Sequence, residues 1–213
     1  NRQHDDVLAM LRAENADVIL LIEVNPAWAA SLDELSDAYP YQHIVPRDDN
    51  FGISIFSRLP FRDVQTREFG PAGVPTVVAT FELSEQEVTF VGTHPLPPGS
   101  ARMSAYRNEQ LSDVAEFVRQ QSGPTILAGD LNVTEFSPYF TDLLTATMLR
   151  DSRQGFGVQA SWAPRLPILE IPIDHCLVSD GIAVTRRRVG PRLGSDHRPV
   201  IVDLTVGDGA HGN

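Results

Sequence analysis

Apolar and polar positions along the chain change period several times, and each change marks an element. In HDDVLAMLRAEN, Val7, Leu8 and Leu11 share one helical face, with Asp5 and Asp6 near the favourable N-terminal end, so a helix opens the chain. ADVILLIEV follows as a continuous apolar run bounded by Asp17 and Glu23, the pattern of a strand buried on both faces. Asn25 and Pro26 then read as the N-cap and first residue of a second helix, with Trp28, Leu32 and Leu35 at helical spacing behind them.

The middle is strand-rich. YQHIVP, GISIFSR, DVQTREF and the pair VPTVVATFEL and EVTFVGTH, joined by Ser84-Glu85-Gln86, all carry β-like patterns. Residues 102–121 place Leu111, Val114, Ala115 and Val118 on one face and predict the longest helix, ending before Gly123-Pro124. PTILAGD is another buried strand, and Ser137-Pro138 starts a helix holding Phe140, Leu143 and Leu144. ILEIPIDHCLVS, IAVTRRRV and RPVIVDLTV predict three more strands. Four helices and about nine strands, with hairpins in the middle and at the end, predict an α/β fold of two packed mixed sheets flanked by helices, not an all-parallel order. With no internal repeat, low-complexity tract or linker, residues 1–207 read as one domain and 208–213 as a frayed tail.

Composition narrows the classes. A chain of 213 residues with 42% hydrophobic content can bury a substantial core in one large domain. No window approaches the roughly 18 consecutive apolar residues of a membrane span, and no basic segment precedes an apolar one as in a signal peptide. A single cysteine, Cys176, excludes an intrachain disulfide and a cysteine-based zinc site. The net charge of -11 argues against broad attraction to nucleic acid. All 17 basic residues are arginine, which removes Schiff-base chemistry and a P-loop lysine. Arg186, Arg187 and Arg188 form the only basic run and are expected on a solvated strand face.

Several strands end at polar residues that a core does not need: Glu23, Thr93 with His94, Asp130 with Asn132, Asp174, and Ser195, Asp196 and His197. Asp130 and Asn132 are two apart, so in extended chain both project to one side. Taken singly, each has a simpler reading as a turn or cap residue. Glu23 resists it, because Glu in a buried strand is costly unless paired or bound to a cation. Five such endings point to a shared rim. Glu, Asp and Asn oxygens suit a hard cation, magnesium or manganese, completed by substrate phosphate oxygens. The chain has no GxSxG for a serine nucleophile and no HExxH-type spacing for zinc.

In order, DVILLIEV, GISIFSR, VGTHPLPP, LAGDLN, PIDHCLVS and GSDHRPV resemble the successive signatures of the endonuclease/exonuclease/phosphatase (DNase I-like) superfamily, over about Val7 to Leu204. The resemblance implies the four-layer α/β sandwich of that family. It also implies a divalent-metal-dependent phosphohydrolase that cleaves a phosphodiester or phosphomonoester by in-line attack of water. Glu23 stands in the place of the family's metal-binding Glu, with Ile22 in place of the usual glutamine, and Asp196 in that of an aspartate that helps hold metal. Asp130 would orient the attacking water with Asn132 as its partner. His197 would contact the phosphate or act as base, with Asp174 accepting its other ring proton. His94 matches a histidine that contacts phosphate or aids the leaving group. Its usual Glu partner is absent from Val74 to Thr80, so phosphate contact is the expected role. His175 should face the other way and be structural, as should His4, His43 and His211.

The family's first strand, which carries an Asn of the metal and phosphate site, precedes the helix over Asp5 to Glu14. The resemblance therefore implies that residues 1–207 lack that strand and belong to a longer protein. The HPLPP and IPIDH wording is similar to that of bacterial members found as extracytoplasmic domains behind transmembrane helices, which implies a membrane-anchored parent. Two alternatives stand beside the phosphohydrolase: a nuclease acting on DNA or RNA, and a catalytically weak module that binds a phosphorylated ligand. The charge does not favour nucleic acid, and the sequence leaves the substrate and the oligomeric state open.

Overall fold

The structure, a computed structural model, describes residues 3–83, 85–162 and 170–207. The expected tail over 208–213, Asn1, Ser84, His211 and the beginning of ILEIPIDHCLVS lie outside the described residues. Four α-helices and eleven strands are found among those described: α1 (His4–Glu14), β1 (Val18–Ile22), α2 (Pro26–Leu32), β2 (Tyr41–Val45), β3 (Ile53–Ser57), β4 (Phe61–Glu68), β5 (Pro75–Leu83), β6 (Gln86–Thr93), α3 (Ala101–Arg119), β7 (Thr125–Asp130), α4 (Pro138–Thr147), β8 (Arg150–Asp151), β9 (Asp174–Val178), β10 (Ile182–Val189) and β11 (Val200–Val206). Asn25 caps α2 as expected, its side chain accepting from Trp28 N at 2.8 Å.

Two β layers pack face to face and helices cover both outer sides. One layer is a six-stranded mixed sheet ordered β4-β5-β6-β7-β9-β8, in which only β6 and β7 run parallel. The other holds the antiparallel sheet β1-β3-β2 and the β10–β11 hairpin. Strand alternation builds the layers. Ile53 and Ile55 of β3 meet Val77, Ala79 and Phe81 of β5 and Phe90 of β6 between the sheets. The residues of opposite parity, Val91, Leu127 and Leu177, turn outward to Leu111, Val114 and Val118 of α3 and to Phe140 and Leu143 of α4. Across the molecule, Val7, Leu8 and Leu11 of α1 join Trp28 and Leu32 of α2 over Phe56. Cys176 and Val178 of β9 face Val202 and Leu204 of β11.

The arginine run differs from expectation. Arg186 is exposed, but Arg187 is buried and donates to Ser152 Oγ at 3.1 Å and to Gln159 Oε1. Arg188 pairs with Glu14. A register shift between Val184 and Arg186 sets which of the three turns inward. None of the described helices is long and apolar enough to cross a membrane.

Candidate active site

The site forms where the ends of β1, β6, β7 and the start of β9 meet the loop before β11. β7 ends on Asp130, which is 3% exposed, and the chain turns through Asn132 at φ 51°. Asn132 N donates to Asp130 Oδ1 at 2.8 Å and its Nδ2 to Pro95 O at 3.0 Å, so the turn is tied both to its own strand and to the segment after β6. The glycine before Asp130 is required by close approach: at Gly129 (φ 143°) an added Cβ would lie 1.9 Å from Thr93 O.

His94 follows β6 and is buried, with Nε2 3.6 Å from Asp130 Oδ2 and its ring 5.2 Å from that of Phe51. Its Nδ1 is buried without a hydrogen-bond partner, consistent with the missing carboxylate on β5. Burial and the neighbouring positive charge of His197 push its pKa down to about 4, so His94 is neutral at ordinary pH.

Asp174 opens β9, in register with Asp130 on β7. Its Oδ2 lies 2.9 Å from His197 Nδ1, while His197 Nε2 is 3.6 Å from Asp130 Oδ2. Burial alone would lower the His197 pKa, but the Asp174 hydrogen bond and the charges of Asp174, Asp130 and Asp196 raise it to about 9. Asp130 moves up to about 7, through burial first and then the Asp174 charge, against the opposing pull of His197. One ligand atom from each of Asp130, Asp174 and His197 lies within 4.8 Å of the other two.

Glu23 stands one residue past β1, not within it, and is exposed, with φ 58°. The expectation of a carboxylate inside a buried strand is therefore corrected: the apolar run ends at Ile22, and the turn gives Glu23 access to water. The turn is held by Val24 N donating to Gly52 O at 3.0 Å and Arg47 N donating to Val24 O at 3.0 Å. Desolvation beside the site raises the Glu23 pKa, His197 opposes this, and Asp196 and Asp174 add to it. Glu23 and Asp196, the two expected metal ligands, thus share one electrostatic neighbourhood with the Asp130, Asp174 and His197 cluster. The structure brings Asp130, Asp174 and His197 into one cluster, with His94 and Asn132 against Asp130, while Glu23 and Asp196 lie within electrostatic reach of it and outside the group whose ligand atoms converge. His175 turns away as expected, with Nε2 2.8 Å from Val133 O and its ring 4.4 Å from that of Phe140.

Three residues that the sequence did not assign to the site complete the frame. Trp162 Nε1 donates to Asp196 Oδ2 at 3.1 Å. Ser161 accepts from Asp174 N through Oγ at 3.2 Å and from Arg198 N through its carbonyl at 2.7 Å, stitching the loop of His197 to the start of β9. Arg187 reaches the carbonyl of Asp174 at 3.4 Å. An indole donor and a basic run near polar strand ends were the signals available, and neither has a period.

Residues 1–197 match the endonuclease/exonuclease/phosphatase family, and the chain belongs to it. Members of this family are hydrolases acting on phosphate esters and generally use divalent metals. Among solved structures, an endonuclease/exonuclease/phosphatase from Beutenbergia cavernae is similar with a TM-score of 0.77 and 23% identity, covering 96% of this chain and 66% of that one. TDP2 of D. rerio, complexed with single strand DNA product, gives a TM-score of 0.79 at 16% identity, covering 95% and 91%. Sphingomyelinase C from Streptomyces griseocarneus gives 0.66 at 20%, covering 94% and 87%. No curated protein matches the sequence.

Proposed function

We propose that this protein is a divalent-metal-dependent phosphohydrolase in which water attacks phosphorus in line. The observation that carries this reading is His197 set between two carboxylates, hydrogen-bonded to Asp174 and facing Asp130. A triad of that kind, beside Asn132 and under the exposed carboxylates of Glu23 and Asp196, combines a cation for phosphate with acceptors for a water proton.

The donor set fits a hard cation: the ligand atoms that converge are carboxylate oxygens of Asp130 and Asp174 with an imidazole nitrogen of His197, and none is a thiol. Glu23 and Asp196 would hold magnesium or manganese beside the cluster of Asp130, Asp174 and His197, whose ligand atoms lie within 4.8 Å of one another. When bound, such an ion neutralises charge on the phosphate oxygens. The remaining work falls to the chain. Asp130, buried and tied by Asn132 N, accepts a proton from the attacking water and fixes its direction. Asn132, with its side-chain nitrogen held by Pro95 O, would contact the phosphate through its side-chain oxygen. In the metal-free protein His197 is protonated at neutral pH with Asp174 holding Nδ1–H, which makes Nε2 the donor available to a phosphate oxygen. His94, being neutral, serves as a hydrogen-bonding contact to phosphate and not as a cationic acid.

A hydrolysis panel with magnesium and manganese tests the reading. It spans plasmid and abasic DNA, RNA, bis(p-nitrophenyl) phosphate, p-nitrophenyl phosphate, inositol phosphates and sphingomyelin. Metal-dependent turnover of any ester supports it, and preference for the polymers would make the protein a nuclease. Tight binding of phosphorylated ligands with no turnover of any member would replace it by a binding module.

A further inference from the structure

Helix α3 touches the site only through a detail of its apolar stripe. Leu111, Val114 and Val118 pack on the six-stranded sheet, and the stripe continues toward the helix N-terminus at i−3 and i−4 spacing. There the side chains change from apolar to polar: Gln110 is fully buried and Arg107 is 8% exposed. A core has no need of either group, and burying them is costly unless their hydrogen bonds are made. Both donate to the turns that carry the site, with Gln110 Oε1 left buried and without a hydrogen-bond partner. Arg107 NH1 donates to Asn132 O at 2.7 Å, while its Nε and NH2 are fixed on Asn108 Oδ1 at 3.0 and 2.7 Å and its guanidinium lies 5.7 Å from the Tyr139 ring centre. Gln110 Nε2 donates to Thr93 Oγ1 at 3.0 Å, and that hydroxyl is shared with Thr76 Oγ1 at 2.8 Å. Thr93 is the residue before His94.

We propose that Arg107 and Gln110 are positioning residues, one helix face bracing the two strand-end turns that present Asn132 and His94. The amide of Asn132 is held by Asp130 and its side chain by Pro95, but its carbonyl is held by Arg107. Without that third point, a left-handed residue is free to rotate its peptide and carry the side-chain oxygen out of the site. Arg107 is the stiffer brace, because a guanidinium fixed on two sides points its third edge in one direction.

The consequence for turnover rests on the hydrolase reading, so the test has an arm that does not. In the metal-free protein, Arg107→Met should speed amide exchange at Leu131–Val133 by about tenfold or more, leaving the centres of α3 and β7 unchanged. Gln110→Leu should do the same at Thr93–His94. With magnesium and bis(p-nitrophenyl) phosphate, Arg107→Met should lower kcat by about 10- to 100-fold with KM within about twofold, as expected for small misplacement of a reacting group. Arg107→Ala should regain part of that loss when millimolar guanidinium is added. A lowered melting temperature with unchanged exchange at Leu131–Val133 would reduce Arg107 to a packing residue and overturn the proposal. If the parent hydrolyses no ester at all, the hydrolase reading fails, and the exchange arm still decides whether the brace exists.

Discussion

Asp174 and His197 are hydrogen-bonded, Oδ2 to Nδ1 at 2.9 Å, and they join the first residue of β9 to the loop before β11. The pair fixes the imidazole and, with Asp130 and Asp196, lifts its pKa to about 9. Asp174→Asn keeps the shape and removes the charge, so the His197 pKa should fall by about one to two units. An NMR titration of the metal-free protein reads it, and an unchanged midpoint would mean that Asp174 does not hold His197 electrostatically.

The same shifts set how stability depends on pH. His197, with its folded pKa raised above the ordinary imidazole value, contributes stability that is complete below about pH 6.5 and lost as pH rises toward 9. Asp130, also raised, makes stability fall with pH up to about 7, whereas His94, lowered to about 4, makes it rise between 4 and 6.5 and offsets Asp130 there. The clear window is therefore pH 6.5 to 9 in chelator, where unfolding free energy should drop by on the order of 2–3 kcal/mol. Urea midpoints at the two ends measure it. A flat profile in the parent, or the same slope in Asp174→Asn, would contradict the assignment.

Glu23→Gln should weaken magnesium or manganese binding by about tenfold while leaving the melting temperature nearly unchanged, because the side chain is exposed and the substitution removes charge without shape. Calorimetric titration of each ion separates the outcomes. Unaltered affinity would take Glu23 out of the metal site.

What could be read in the sequence follows from what local pattern encodes. Asp130, Asn132, Asp174 and His197 sit where apolar runs stop, so their strand-end positions were visible before any contact was known. The turn that frees Glu23 from β1 was not, because the apolar run gives no sign that the backbone turns left-handed at its last carboxylate. Arg187 was misplaced because a register shift in β10 decides which of three identical side chains points inward. The start of β9 is later than the apolar letters of ILEIPIDHCLVS imply: Pro172 has no N–H for a ladder, and the strand begins at Asp174. Ser161 and Trp162 were silent, since their roles depend on contacts with Asp174, Asp196 and Arg198, far along the chain. Two-residue β8 is too short to carry any period.

Gly129→Ala tests the close approach behind the site. Its Cβ would meet the Thr93 carbonyl at 1.9 Å in a backbone conformation that alanine rarely adopts. The variant should lose about 3 kcal/mol or more of stability and shift Thr93 against Asp130. Denaturant unfolding reads the loss, and a cost below about 1 kcal/mol would show that β6 and β7 separate there without difficulty.

The central claim is that metal-dependent attack of water on phosphorus is directed by Asp130 and His197. Hydrolysis of bis(p-nitrophenyl) phosphate in oxygen-18 water, with magnesium or manganese, measures it. The label should enter the phosphate product and not the phenol. Turnover should vanish in chelator, and Asp130→Asn and His197→Ala should each lower kcat by about 100- to 10,000-fold without unfolding the protein. Label in the phenol, turnover that persists in chelator, or parent-level rates in either variant would contradict the account.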